Sequence, residues 1–290
     1  MSRLWLIVIA GCSFQLSAAT DAGPDDASTT ADAMIDGSPD VDSDGDGLSD
    51  AVDNCRVLAN PDQRDWDTDG HGDACDRCPH LSSAPDPDAD GDGVGDACDP
   101  RPALAGDQRV IWQGFYAQAE LTGWRNWANM GVWNVNGLLH QSNAAPGLTL
   151  LDSPMNYDNV YVATRMEVVV PLASAAAEIG VCGGDIPQGT QYYCCAINGT
   201  SGKSVRATSA WAGQGQIETE QAWTGSLAVG ALVDVTATMT AAGSTCTFAQ
   251  GGEMATLSTV RGPAAPGSAV FYTQVTEAKY HYVFVVAIGS

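Results

Sequence analysis

Glutamate is missing from the first 106 residues, although these residues include 23 aspartates. An acidic stretch that only solubilises a chain usually mixes both acids, so exclusive use of the shorter carboxylate indicates selection for its geometry. Basic residues are also scarce, and the formal net charge of the chain is -23. Such a charge repels phosphates, which argues against nucleic acid or anionic lipid as partners of this segment and favours cations.

Long hydrophobic runs are absent as well. The apolar stretch at residues 4–10 is too short to cross a hydrocarbon core about 30 Å thick, which needs roughly 20 residues. It follows Arg3 and is typical of an export signal. It ends in Ile9-Ala10-Gly11-Cys12, which resembles the bacterial lipobox. The resemblance implies a signal over residues 1–12 and a lipid anchor on Cys12 that holds the protein to the cell envelope, at the surface of the outer membrane. An ordinary signal peptide is the alternative.

Residues 13–40 are dominated by Asp, Ala, Ser, Thr, Gly and Pro, with few large apolar side chains. Such a segment cannot bury enough surface to offset the entropy lost on ordering. We therefore predict a disordered, self-repelling tether.

A repeat with a period of 23 residues follows, in which DSDGDGLSDAVD, DWDTDGHGDACD and DADGDGVGDACD begin at Asp42, Asp65 and Asp88. Each copy has Asp at positions one, three, five, nine and twelve and Gly at position six. Alternate residues of a tight loop point the same way, so the first three carboxylates converge on one cation. Hard oxygen donors suit Ca²⁺ better than zinc. The predicted ligands are these carboxylates and the backbone carbonyls at position seven: Asp42, Asp44, Asp46, Leu48, Asp50, Asp53, Asp65, Asp67, Asp69, His71, Asp73, Asp76, Asp88, Asp90, Asp92, Val94, Asp96 and Asp99.

No amphipathic helix follows any of these loops, because Cys and Pro come next, and this excludes an EF-hand. The strings Asp53-Asn54-Cys55, Asn60-Pro61-Asp62-Gln63, Gly72-Asp73-Ala74-Cys75-Asp76 and Gly95-Asp96-Ala97-Cys98-Asp99 resemble thrombospondin type 3 repeats, which we place at residues 41–102. The resemblance implies chain wrapped around a string of calcium ions, with almost no hydrophobic core. It also implies disulfides between Cys55 and Cys75 and between Cys78 and Cys98. The alternatives are a disordered acidic linker and a dockerin, whose loops carry helices.

The nine cysteines form no recognisable zinc motif, since no second pair follows the CxxC spacing of Cys75 and Cys78. Together with the export signal they are better interpreted as disulfides. Acylation of Cys12 would leave eight, an even number. Adjacent Cys194 and Cys195 point to opposite faces of a strand, and a redox vicinal pair is the minor alternative. The sequence leaves the pairing open for the last four: Cys182, Cys194, Cys195 and Cys246.

Residues 107–290 show no sustained helical period. Short runs of β-forming residues recur between Gly, Pro, Asn and Ser, and their number predicts an all-β sandwich or jelly roll. The predicted strands are 110–115, 131–135, 138–141, 160–170, 178–183, 192–197, 205–210, 216–219, 233–239, 245–249, 269–272 and 281–288. Trp124 with residues 131–141, and the closing segments 269–273 and 278–285, resemble concanavalin-like (laminin-G-like) jelly-roll domains. The resemblance implies that the first and last strands pair and that the module binds a saccharide or an extracellular matrix component.

Catalytic motifs are missing from this half. The Glu-x-Asp-x-x-Glu pattern of the fold's glycanases does not occur, the chain has only four His, and no Gly-rich phosphate loop is present. We therefore predict a binding module and no enzyme. Trp211 and Trp223 lie near Gly- and Gln-rich loops and are predicted to be exposed and to stack on the saccharide, whereas most other Trp belong to the core.

The sequence thus predicts a bacterial surface lipoprotein in which a disordered tether and a calcium-binding stalk present an all-β, concanavalin-like head that binds carbohydrate or matrix. Two alternatives stay open: a polysaccharide hydrolase or lyase on the same fold, and a purely structural envelope protein.

Overall fold

The computed structural model describes residues 41–82, 86–127, 131–142, 148–172, 177–185, 191–199, 203–211, 215–240, 242–260 and 267–289. The predicted signal with Cys12 and the predicted tether lie outside these residues. No α-helix occurs in the described part of the chain, and none of its residues belongs to a helix that could cross a membrane.

Among the described residues, sixteen strands and one short 3-10 turn follow residue 107. The strands are β1 Gln108–Gln113, β2 Arg125–Trp127, β3 Trp133–Val135, β4 Leu139–Gln141, β5 Leu148–Asp152, β6 Val160–Val168, β7 Glu178–Asp185, β8 Gln191–Asn198, β9 Ser204–Trp211, β10 Gly215–Ala222, β11 Leu232–Thr240, β12 Gly243–Gln250, β13 Glu253–Val260, β14 Ser268–Gln274, β15 Ala278–Tyr280 and β16 Val283–Ala287; the 3-10 turn is Gln118–Leu121. All twelve predicted strands are present, and β2, β5, β13 and β15 are additional.

The strands form two antiparallel sheets. Sheet 1 has the order β13-β12-β11-β6-β15-β4-β3, with β16 pairing to β6 and β1 to β16. Sheet 2 has the order β10-β9-β8-β7-β14-β5-β2. The predicted all-β jelly-roll sandwich is confirmed, and so is the pairing of the first strand with the last.

The core lies between the two sheets because side chains alternate along each strand. In β11, buried Val233, Val235, Ala237 and Met239 alternate with half-buried Thr and Asp. The same alternation separates Cys194 from Cys195. Cys195 crosses the core to Cys246 of the other sheet, while Cys194 pairs with Cys182 on the outer face of sheet 2.

Residues 41–107 contain no helix or strand among those described. Disulfides link Cys55 to Cys75 and Cys78 to Cys98, as the family resemblance implied, with a sequence separation of 20 each time. The CxxC cysteines, Cys75 and Cys78, therefore belong to different disulfides and offer no thiolate pair for a metal.

The second and third repeats pack on the outer face of sheet 1, which corrects the expectation of a separate stalk with almost no hydrophobic core. Val94 and the Cys78–Cys98 disulfide are buried in one cluster with Ala163, Tyr282, Phe284 and Val286. The physical reason is that these repeats carry large side chains that need burial.

Two aromatic rings of the repeats anchor this contact. Trp66 packs edge-on against Tyr282 and Trp112, with ring centroids 4.9 and 6.2 Å apart. His80 lies 4.6 Å from Phe284 and 4.9 Å from Tyr282. Burial lowers the pKa of His80 to about 3, so the ring is neutral and packs like an aromatic residue.

Replacing Trp66 by Ala should therefore destabilise the calcium-saturated protein by about 2 kcal/mol, because it removes two ring contacts at this interface. We expect a midpoint of thermal unfolding lower by about 6 °C. Val57→Ala is the control, since Val57 is 83% exposed and should change little. Equal unfolding temperatures for Trp66→Ala and the control would show that the rings do not hold the repeats on the sandwich.

Candidate metal centres and a cleft on the sandwich

The three repeat loops share one backbone geometry. The position-one carboxylate accepts hydrogen bonds from the amides of positions four and six, at 2.7 to 3.1 Å. The carboxylates of positions three and five accept from the amides two residues further on. Gly at position six has φ between 94° and 98° in all three loops, a region that other residues rarely adopt: Gly47, Gly70 and Gly93.

These bonds bring one carboxylate oxygen from each of positions one, three and five to within 4.8 Å of the others. The second oxygen at position three is buried and has no hydrogen-bond partner in any loop: Asp44, Asp67 and Asp90 Oδ2. A buried carboxylate oxygen is normally paired, so a repeated orphan inside an acidic cluster fits a bound cation. The residues present therefore suit a divalent ion with oxygen ligands.

The position-twelve carboxylates belong to the same centres. Oδ2 is again buried without a partner in Asp76 and Asp99. Burial raises the pKa of Asp76 to about 7, and Asp67 and Asp69 of the same loop add to the shift. Burial also raises the pKa of Asp67 to about 6, with a further contribution from Asp69. Each shift reflects negative charge that neither water nor a cation of the protein offsets.

The position-nine carboxylates are not brought into these clusters. Asp50, Asp73 and Asp96 accept hydrogen bonds from the position-two amides of their own loops at 2.8 to 2.9 Å. Asp73 also accepts from the hydroxyl of Tyr116 in the sandwich, at 2.8 Å. These three predicted ligands therefore close the loop ends. At position seven, the amides of Leu48, His71 and Val94 donate to position five.

Sequence reasoning missed two acids and two glycines. Asp86 Oδ1 is buried without a partner, and Asp107 shares a cluster with Asp92 and Asp99 while pairing with Arg101. Neither acid belongs to a twelve-residue loop, so the repeat did not mark them. A Cβ at Gly72 would lie 2.7 Å from Cys55 Sγ, and one at Gly95 would lie 2.7 Å from Cys78 Sγ. Both glycines occupy position eight of their loops, and this shared position could have identified them from the sequence.

A second candidate site is a cleft of about 390 Å³ on the outer face of sheet 2. Apolar atoms of Leu150 and of the Cys182–Cys194 disulfide form part of its lining. The aromatic ring of Tyr192 and the amides of Gln216 and Gln274 also line it. The cleft therefore combines an apolar surface with uncharged hydrogen-bonding groups.

An ion pair lies at the base of this cleft. Arg206 bonds Glu178 and also lies 3.4 Å from Glu218. Glu178 is 5% exposed and accepts further hydrogen bonds from Tyr272, at 3.0 Å, and Asn198, at 3.4 Å. Three donors thus hold the Glu178 carboxylate, and these contacts fix its position beside Arg206.

The two predicted stacking residues have different outcomes. Trp223 is 5% exposed and belongs to the core between the sheets, so the prediction that it is exposed was wrong. The apolar ring is buried because residues 223–227 fold over the end of the sandwich, where Leu227 is also buried. Trp211 ends β9, and its side chain lies outside the described part of the structure.

Residues 32–63 and 87–100 match the family model of the thrombospondin type 3 repeat. These two stretches are therefore similar to thrombospondin type 3 repeats, as the loop spacing and the strings around the cysteines indicated, and the match does not include the second loop. No curated protein shows significant similarity to the chain.

Three solved structures illustrate what the sandwich is similar to. Carbohydrate-binding module CBM66 from Bacillus subtilis is 8% identical, with 55% of this chain and 92% of that chain covered, at a TM-score of 0.43. The Bacillus licheniformis beta-glucanase is 13% identical, with 60% and 96% covered, at 0.46. Lectin II from Ulex europaeus is 8% identical, with 57% and 93% covered, at 0.43. Similarity at this level carries no information about ligand or reaction.

Proposed function

We propose that the three repeat loops bind calcium ions that hold residues 41–107 in their folded form on the sandwich. The observation that carries the proposal is the partnerless, buried Oδ2 of Asp44, Asp67 and Asp90, which recurs at the same position of each acidic cluster.

Electrostatics supports a cation in each loop. Two like charges 4 Å apart repel by about 1 kcal/mol in bulk water and by about 4 kcal/mol at an effective dielectric constant of 20. Each loop holds three carboxylates within 4.8 Å, with a fourth close by at position twelve. Calcium takes six to eight oxygen ligands in a flexible arrangement, whereas magnesium demands a tight octahedron and keeps its waters. An irregular loop of carboxylates and carbonyls suits calcium better.

The calcium is structural in this proposal. No helix pair flanks any described loop, so ion binding has no helices to open. The ordered loops instead present Trp66, His80 and Val94 to sheet 1. Calcium binding and docking of the repeats then stabilise each other, because both require the same loop conformation.

Calorimetric titration of residues 41–290, with disulfides intact, should show at least three calcium ions. Each site should add about 2.7 kcal/mol of stability at a hundredfold excess over its dissociation constant. Asp67→Asn should remove one ion, because it deletes a ligand. Asp73→Asn is the matched control: it should keep every ion but unfold at lower temperature, because its hydrogen bonds to Trp66 and Tyr116 weaken. Absence of binding heat at millimolar calcium would contradict the proposal.

We also propose that the sandwich binds a neutral saccharide in the cleft on sheet 2, without catalysing its hydrolysis. The supporting observation is the joint presence of the Tyr192 ring, an apolar floor and the uncharged amides of Gln216 and Gln274. Sugar rings offer apolar C–H faces and a rim of hydroxyls, which match these two kinds of surface. Arg206, Tyr272 and Asn198 already engage both oxygens of Glu178 within the protein.

A panel of neutral oligosaccharides should therefore contain a ligand whose affinity falls about tenfold, or 1.4 kcal/mol, in Tyr192→Ala. Thr247→Ala, on the outer face of the opposite sheet, should bind normally. Incubation with the corresponding polysaccharides should release no reducing sugar. Release of sugar would favour the hydrolase alternative, and a panel without any ligand would favour a structural role.

We further propose that Cys12 carries the lipid anchor predicted from the lipobox resemblance. The four disulfides among the described residues are supporting evidence, because such bonds persist in oxidising compartments outside the cytosol. In a bacterial host, labelled palmitate should be incorporated into the protein and should be absent from Cys12→Ser. Equal labelling of both proteins, or none of either, would exclude this anchor.

A further inference from the structure

A groove of about 350 Å³ lies where the second repeat meets the sandwich. Asn60, Arg64 and Asp73 line it from the repeats, and Arg109, Gln113 and Tyr116 line it from the sandwich and the segment after β1. It is distinct from the calcium clusters and lies on the opposite side of the sandwich from the sheet 2 cleft. We propose that this junction groove binds a carboxylate-bearing sugar residue, such as a uronic acid.

Most charged groups of the groove are already paired with each other. Arg64 lies 2.9 Å from Asp62 and 3.0 Å from Glu120, and its guanidinium covers the ring of Tyr116 at 4.4 Å. The Asp73 carboxylate is held by the Trp66 amide and the Tyr116 hydroxyl. These groups shape the groove, and their charges offset one another.

Arg109 is different. It donates to the carbonyl oxygen of Asp76, and no carboxylate lies within ion-pair distance of it among the described residues. Asp76, Asp73 and Asp86 act on the charge of this half-buried guanidinium from a distance, but none of these described residues forms an ion pair with it. The planar fork of Arg matches a carboxylate in two hydrogen bonds, so the open side of Arg109 suits a ligand carboxylate.

Two neighbouring polar atoms lack hydrogen-bond partners, and hydroxyl groups on the same ligand could bond to them. Gln113 Oε1 is buried without a partner, while its Nε2 donates to the carbonyl oxygen of Glu120 at 2.8 Å. Trp112, which also lines the groove, has a buried Nε1 without a partner. A ligand that fits must therefore offer a carboxylate and, close to it, both a hydrogen-bond donor and an acceptor. A uronic acid carries hydroxyls beside its carboxylate. A peptide would bring apolar side chains, and the groove offers them little apolar surface apart from Ala74, Gly114 and aromatic rings that already pack against other residues.

Binding should depend on calcium, and this part of the inference rests on the proposed calcium function. Five of the eleven lining residues come from the repeat segment, so loss of the loop fold removes residues such as Arg64 and Asp73 from the wall of the groove. Each bound ion also lowers the negative charge that an acidic ligand meets on approach.

The test compares methyl glucuronide with methyl glucoside, which differ only in a carboxylate against a hydroxymethyl group, by ligand-observed NMR on calcium-saturated residues 41–290. We expect at least tenfold tighter binding of the glucuronide and its loss after calcium removal. Arg109→Gln should weaken glucuronide binding at least tenfold. The charge-matched control is Arg56→Gln, at an exposed arginine, which should bind normally.

Gln113→Glu provides a second variant in case Arg109→Gln disturbs the repeats. It keeps the side-chain shape and places a negative charge beside the ligand carboxylate, so it should weaken glucuronide binding with the calcium stoichiometry unchanged. Tyr192→Ala should leave glucuronide binding intact, which separates this groove from the cleft. Equal binding of the two glycosides, no glucuronide binding by the folded calcium-loaded protein, or normal binding by both groove variants would overturn the proposal. Binding that survives calcium removal would overturn the coupling.

Discussion

Repulsion between carboxylates crowded into short loops is the constraint on which the first part of this protein depends. Hydrogen bonds from loop amides fix three Asp oxygens within 4.8 Å of each other in each repeat, and burial then removes the water that would screen them. Among the described residues, ion pairs with arginine reach the acidic clusters of the third loop alone, where Arg77 lies 3.4 Å from Asp88 and Arg101 pairs with Asp107. In our proposal calcium ions from solution offset this charge, and the raised pKa values of Asp67 and Asp76 reflect burial together with the neighbouring carboxylates.

The repulsion between these carboxylates, and its proposed compensation by calcium, are linked to hydrophobic burial of the same segment. The loops that hold the acids also carry Trp66, His80 and Val94, and these side chains reach sheet 1 only when the loops are folded. Burial of apolar surface contributes roughly 25 cal/mol per Å², so each docked ring favours the loop conformation that binds the ion. The Cys55–Cys75 and Cys78–Cys98 disulfides limit the unfolded alternatives of the same segment. The disulfides, the aromatic contacts and the proposed calcium ions thus all stabilise the same folded conformation of residues 41–107.

The sequence was most informative where a local rule determines the structure. The 23-residue period and the Asp and Gly spacing predicted the loops, because tight turns and chelation are local. Short runs of β-forming residues between turn residues predicted twelve strands. Strand β13 was missed although Ala255, Leu257 and Thr259 alternate with exposed residues, because Glu, Met and Ser weaken its β character. The docking of the repeats, the burial of Trp223 and the Cys195–Cys246 link depend on which faces meet in three dimensions. The hydrogen bonds of the position-nine carboxylates to the position-two amides were not predicted for a related reason, because chelation and loop closure both favour Asp in the sequence.

The packing of the repeats also changes what the sandwich can present to a ligand. The repeats cover part of the outer face of sheet 1, whereas no described repeat residue lines the cleft on the outer face of sheet 2, which contains the Glu178–Arg206 pair. On the side of sheet 1, docking of the repeats creates the junction groove, which is lined by residues of both the repeats and the sandwich. A ligand in the cleft meets residues of the sandwich, whereas a ligand in the junction groove bridges the two parts. When the loops lose their ions, only the ligand in the junction groove should bind more weakly. Its binding site exists only while the repeats are docked on the sandwich, so the free energy of that docking contributes directly to its affinity.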